Sequence, residues 1–262
     1  MNDRIGFIGM GNMATALAKG MIAKNAIAPE QIIAYDINTS QLSHVCEESS
    51  IHSAKDLTSL VVGSDIIIIA IKPSIVDDTI LPIKELLSGK VVISLAFGWN
   101  YEHYQAILDE STHFLYMVPN LPAQVGEGIF LLEEKHSLST EEYKRITEVL
   151  SQVGMVQVLP SNIMAVGGVI ASCAPAFINL VLEAIADGGV LHGIPRELAY
   201  QLVSQAMIGT GKLYIESNLH PGQVKDMVCS PGGATIKGIA SLEEDGVRGA
   251  FIKAVDTVIK PK

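Results

Sequence analysis

Short apolar runs punctuate the first part of the chain at Ile5–Ile8, Ile32–Tyr35, Ile66–Ile71, Val91–Ala96, Phe114–Val118, Ile129–Leu132 and Met155–Leu159. The segments between them carry helical spacing or turn residues, and strands alternating with helices predict an α/β fold built on a doubly wound sheet. The run Ile66–Ile71 (IIIIAI) is apolar at every position and mostly β-branched. Such a run fits a central parallel strand covered on both faces and is too short to cross a bilayer as a helix.

After Pro160 the strand rhythm stops. Leu198, Leu202, Gln205 and Met207–Ile208, then Val224–Val228 and Ile236–Leu242, follow helical spacing instead. The pattern predicts two domains, a sheet domain over 1–160 and an all-helical domain over 161–262, with no disordered linker, internal repeat or low-complexity segment. The stretch Ile163–Leu182 is nearly all apolar and about the length that spans a membrane. Gly167, Gly168 and Pro175 interrupt it, Asn179 lies inside it, and Glu183 and Asp187 follow without a flanking Lys/Arg cluster. It therefore reads as a helix buried on all sides, which a small domain achieves only by pairing with a second copy of itself; a homodimer is expected.

Composition narrows the partners. With 48% hydrophobic and 18% charged residues the chain belongs among folded proteins, and its 262 residues suffice for one or two domains. A formal net charge of −10 supplies no basic surface for nucleic acid or anionic membranes, and neither is expected as a partner. Cys46, Cys173 and Cys229 are odd in number and form no C-x-x-C pair, and the seven histidines lack metal-ligand spacing, so neither a disulfide framework nor a metal is expected. The opening MNDR runs straight into a strand, which leaves no room for a signal or transit peptide and predicts a cytoplasmic protein.

Candidate chemistry begins at the first strand, where Gly9-Met10-Gly11-Asn12-Met13-Ala14 gives the pattern G-x-G-x-x-A between a strand and an amphipathic helix. Gly9 permits the tight turn, Gly11 lets backbone approach a pyrophosphate, Ala14 lets helix pack on strand, and the helix N-terminus favours the phosphates. This is a Rossmann-type dinucleotide site for NAD(P)H. Asp36 ends the second apolar run where a carboxylate meets a ribose 2′-hydroxyl, which suggests NADH. Two readings stay open there: Asp36 also suits the start of the turn Asp36–Ser40, and Asn38, Thr39 and Ser40 leave NADPH possible. Ala70, Lys72 and Pro73 follow the run Ile66–Ile71 at the carboxyl edge of the sheet, where ligands of such folds bind.

Two further motifs, Met117-Val-Pro-Asn120-Leu-Pro-Ala and Ser230-Pro-Gly-Gly-Ala-Thr235-Ile, join GFIGMGNMA and AIKP in a set that resembles the pyrroline-5-carboxylate reductase family along essentially the whole chain. Read from its residues, Ser230–Thr235 is a turn into a helix. Pro231 fixes φ, Gly232 and Gly233 expose N–H groups as a carboxylate cradle, and capping by Ser230 or Thr235 is the competing role. The resemblance implies NAD(P)H-dependent reduction of 1-pyrroline-5-carboxylate to proline. It also implies a helical domain that forms the homodimer, a decamer of dimers beyond it, Thr235 at the ring nitrogen, and Ser230, Gly232, Gly233 and Ala234 at the substrate carboxylate. Asn120 and the turn after Ala96 are implied on the substrate and nicotinamide side.

The chain departs from the family's usual pattern at Ala171–Phe177, where Cys173 and Phe177 replace hydroxyl-bearing residues. A paralogue acting on another imino acid, and a silent NAD(P)-binding regulator, are the alternatives. A β-hydroxyacid dehydrogenase needs a lysine on a core helix, and none stands between Met155 and Lys212.

Overall fold

The computed structural model describes residues 3–260. Strands β1 (Ile5–Ile8), β2 (Ile32–Tyr35), β3 (His52–Ser53), β4 (Ile66–Ile69), β5 (Val91–Ser94), β6 (His113–Pro119), β7 (Gly128–Glu133) and β8 (Gly154–Leu159) form one sheet in the order 3-2-1-4-5-6-7-8. Every predicted run is a strand. The addition is β3, a two-residue polar strand beside β2 that carries no apolar signature. All pairings are parallel except β6 with β7. Only residues 120–127 join those two strands, too short a connection for a crossover, so β7 must return antiparallel.

Helices α1 (Asn12–Ala23), α2 (Thr39–Ser49), α3 (Leu57–Val62), α4 (Val76–Ile80), α5 (Tyr101–Gln105) and α6 (Thr140–Val153) cover the sheet's two faces. The strand pleat divides the core accordingly. Ile5, Phe7, Ile66 and Ile68 pack with Leu17 and Met21 of α1 and Val149 of α6. Ile8, Ile67 and Ile69 pack with Leu60 and Val61 of α3 and Val76 and Ile80 of α4. Because both sets are buried, β4 has no polar position to offer, which explains its unbroken apolar run.

One glycine in α1 marks a close approach. A Cβ on Gly20 would stand 2.0 Å from the carbonyl oxygen of Ala123, in the short 3-10 helix Leu121–Val125 that links β6 to β7.

The remaining helices are α7 (Ser161–Leu191), α8 (Arg196–Ser217), α9 (Pro221–Val228), α10 (Ala234–Glu244) and α11 (Val247–Ile259). Compactness divides the chain after Cys173, inside α7, rather than at Pro160. The reason is packing: Met164, Val169 and Ala171 on the first part of α7 are buried, and Met164 and Ala171 join the core cluster on the Ile8 face of the sheet. Pro175 lies inside the helix without ending it. Beyond the division, α7 is not covered within one chain. Ile178, Leu180 and Ile185 are exposed, and Phe177, Ile178, Val181 and Ile185 line an apolar groove of about 1030 Å³ with Leu202, Met207 and Tyr214 of α8.

Candidate active site

The strand order 3-2-1-4-5-6 places β1 beside both β2 and β4, and the crevice at their carboxyl ends is where open α/β sheets bind ligands. Gly9 stands in that crevice with φ +92°, and a Cβ there would lie 2.8 Å from the Ala70 carbonyl oxygen. A side chain is thus excluded twice, by backbone conformation and by space. Gly11 is different. It precedes α1 in an extended conformation, and a Cβ on it would meet nothing within 4 Å. No side chain caps α1, so the N–H groups of its first turn, including those of Asn12 and Met13, face open space suited to an anion. Ala14 is buried, as close helix packing on β1 requires.

Asp36 ties this loop down. Its Oδ2 accepts the Met10 N–H at 2.7 Å, and its Oδ1 accepts the Asn38 N–H at 2.8 Å. Asp36 thus starts the turn into α2 and also lines the cavity beside Gly9. Met10 is held inside the loop. Its N–H is taken by Asp36, its carbonyl accepts from Thr15 and Gln41, and its side chain is fully buried. The first turn of α1 is left without a side-chain cap. Beside Gly9 and Asp36 opens a cavity of about 240 Å³, lined also by Tyr35, Ile37, Ile71 and Asp78. It offers apolar walls for a flat base, two carboxylates, and no Lys or Arg among its lining residues.

Lys72 and Pro73 are exposed, on the turn that follows Ala70. Ala96 follows β5 but is itself buried, and its N–H donates to Ser94 Oγ at 3.2 Å. Phe97 and Gly98 are the exposed residues of that turn, with Gly98 at φ +84°. Asn120 is buried and its amide is hydrogen-bonded at both ends: Nδ2 donates to the Ala171 carbonyl at 3.0 Å and Oδ1 accepts the Ile129 N–H at 2.8 Å. It fastens β7 and the start of α7 to the end of β6.

In the helical unit, Ser230–Thr235 forms the turn that starts α10. Gly232 has φ +70°, Gly233 N–H donates to the Ser230 carbonyl at 3.0 Å, and Gly233 takes the N-cap position without a capping side chain. Capping by Ser230 or Thr235 is therefore absent, and the first N–H groups of α10 lie open beside the exposed Ala234 and Thr235. A Cβ on Gly233 would stand 2.4 Å from Ser230 Oγ, so any side chain there would displace the Ser230 hydroxyl.

Comparison with known proteins fits both units. Residues 161–261 match the family model described as pyrroline-5-carboxylate reductase dimerisation, and residues 4–98 match the model NADP oxidoreductase coenzyme F420-dependent. The chain is 40% identical over 255 residues to the pyrroline-5-carboxylate reductase of Treponema pallidum, covering 96% of this chain and 97% of that one. The chain belongs to the pyrroline-5-carboxylate reductase family. The enzyme of Methanosarcina acetivorans is 38% identical, with 97% of this chain and 94% of that one covered. The crystal structure of the Plasmodium falciparum pyrroline carboxylate reductase with NADP bound superposes with a TM-score of 0.89 at 29% identity, covering 98% and 96% of the two chains. Membership in this oxidoreductase family makes the helical region a dimerisation domain, and homo-oligomerisation accounts for the apolar surface that α7 leaves open in one chain.

Sequence reading missed Tyr116, Glu133 and Gly20. None of the three belongs to a motif in the sequence.

Proposed function

We propose that this protein reduces 1-pyrroline-5-carboxylate to proline with a nicotinamide cofactor, and that it works as a cytoplasmic homodimer that associates further, to a decamer of dimers. The observation that carries the reading is an uncapped, glycine-started helix N-terminus in each unit. The one at Gly11 suits a pyrophosphate, and the one at Gly233, beside an exposed threonine, suits a small carboxylate. In the helical unit Ser230, Gly232, Gly233 and Ala234 hold the substrate carboxylate, while the Thr235 hydroxyl hydrogen-bonds the ring nitrogen. When bound, the reduced nicotinamide supplies a hydride from C4 to the imine carbon C5. A cyclic imine accepts hydride readily once its nitrogen is protonated or hydrogen-bonded, so the protein's work is alignment and that one hydrogen bond. Gly9, Gly11, Asn12, Met13, Ala70, Lys72 and Pro73 line the cofactor side.

NADH is the favoured cofactor. A 2′-phosphate entering the cavity beside Asp36 meets a second carboxylate, Asp78, and no cationic lining residue. Replacing Asp36 by Ser is expected to raise the NADPH-to-NADH ratio of kcat/KM by about tenfold or more. The affinity for both cofactors falls at the same time, because the Met10 N–H loses its acceptor. An unchanged ratio with uniformly weaker binding means that Asp36 serves only the loop.

The direct test of the activity follows absorbance of NADH and NADPH with 1-pyrroline-5-carboxylate as acceptor. Rapid oxidation establishes the reductase and its cofactor preference together. Cofactor binding without oxidation, at any substrate concentration, overturns the reading.

A further inference from the structure

The turn after β5 is fastened with unusual thoroughness for an exposed loop. It closes on itself through the Trp99 N–H to the Ala96 carbonyl at 3.1 Å. Gly98 N–H donates to Tyr116 Oη at 3.1 Å, and Tyr101 N–H donates to Glu133 Oε2 at 2.8 Å. A Cβ on Gly168 of α7 would stand 2.8 Å from the Phe97 ring, so the turn's one large exposed side chain rests against that helix. Just beyond, Lys135 Nζ reaches Glu102 Oε1 at 2.7 Å.

Two of these fasteners form a pair. Met117 stands opposite Leu132 in the antiparallel β6–β7 ladder, and one step further the same register sets Tyr116 opposite Glu133, with both side chains on one face. Glu133 is completely buried, and its Oε1 has no hydrogen-bond partner. A buried carboxylate is costly to retain in a fold. An apolar residue would end β7 at less cost, so a buried acceptor oxygen at this position calls for an explanation beyond stability. Burial raises the Tyr116 phenol above its ordinary range; the Gly98 N–H works against this and the Glu133 charge adds to it, so the two side chains sense one another.

We propose that Glu133 and Tyr116 are a positioning pair that holds the turn Ala96–Tyr101 in the shape a bound nicotinamide ring needs, an inference that rests on the reductase reading above. Neither residue touches substrate in this scheme. They act through the backbone of the turn, and the consequence is control of ring orientation rather than of cofactor affinity.

Trp99 provides the test, because it is the chain's one tryptophan and lies in this turn, half-buried against His103 and Tyr104. In the full-length protein, Tyr116→Phe and Glu133→Leu are expected to increase acrylamide quenching of Trp99 at least about twofold and to weaken energy transfer from Trp99 to bound NADH. They lower kcat by about tenfold or more while KM for NADH changes less than about threefold. Glu133→Gln keeps an acceptor oxygen for the Tyr101 N–H and returns quenching and kcat to near wild type. Unchanged quenching and kcat in both variants overturn the proposal. So does a parallel loss of kcat and cofactor binding in which Glu133→Gln is as impaired as Glu133→Leu. If Glu133→Leu does not fold, Tyr116→Phe decides by the same measurements. A wild-type protein inactive on the imine overturns the reductase reading separately, and quenching and energy transfer still decide whether the pair orders the turn beside the cofactor.

Discussion

Thr235→Val is expected to lower turnover by about a hundredfold and to leave NADH binding within about twofold of wild type. Thr235 is exposed in the first turn of α10, where valine has a similar helix propensity, the same branching at Cβ and no hydroxyl. The change removes a hydrogen-bond donor and almost nothing else, so the melting temperature should hold. The size follows from the chemistry: a donor at the imine nitrogen acts more strongly as positive charge develops there than in the ground state. Thr235→Ser restores most of the rate, because the donor returns. Steady-state kinetics with the imine as varied substrate, alongside cofactor titration by fluorescence, checks each part. Wild-type turnover in the valine variant removes Thr235 from the mechanism.

Gly20→Ala is expected to destabilise the protein by about 2–3 kcal/mol, although helix propensity alone predicts a gain of about 1 kcal/mol for the same change in a helix interior. Packing decides the sign. The new methyl meets the Ala123 carbonyl oxygen at 2.0 Å, a backbone atom in a short helix that no side-chain rotation relieves, and Val153 Cγ1 stands at 2.8 Å. Relief requires α1 to move away from the linking helix Leu121–Val125, and with it the Gly9–Met13 loop at the head of α1. Urea unfolding measures the loss, and NADH affinity should fall alongside it. A variant as stable as wild type shows that the link between β6 and β7 yields easily.

The sheet's rhythm was legible because strands buried on both faces must be apolar throughout, and the glycine fingerprint was legible because Gly9 and Gly11 answer to strict backbone demands. The strand β3 was not, since two polar edge residues leave no pattern. That compact packing carries the first part of α7 with the sheet unit was not legible either, because an apolar run looks the same whichever unit its side chains fill. Asp36 and Asn120 show the limit most clearly. Sequence marked both as chemically interesting, but the hydrogen bonds from Met10 to Asp36 and from Asn120 to Ala171 join residues far apart in the chain.

By itself, then, the sequence determined the two-part architecture, the dinucleotide loop and the Ser230–Thr235 turn, which rest on local backbone constraints and periodic burial, while the family came from the resemblance of its motifs. The tertiary structure decided which distant groups Met10 and Asn120 bond, that Gly20 is a close-packing position, and that Tyr116 and Glu133 fasten the turn after β5. Those assignments depend on which distant groups satisfy each buried polar atom and on how near two backbones come, and neither quantity leaves a periodic trace along the chain.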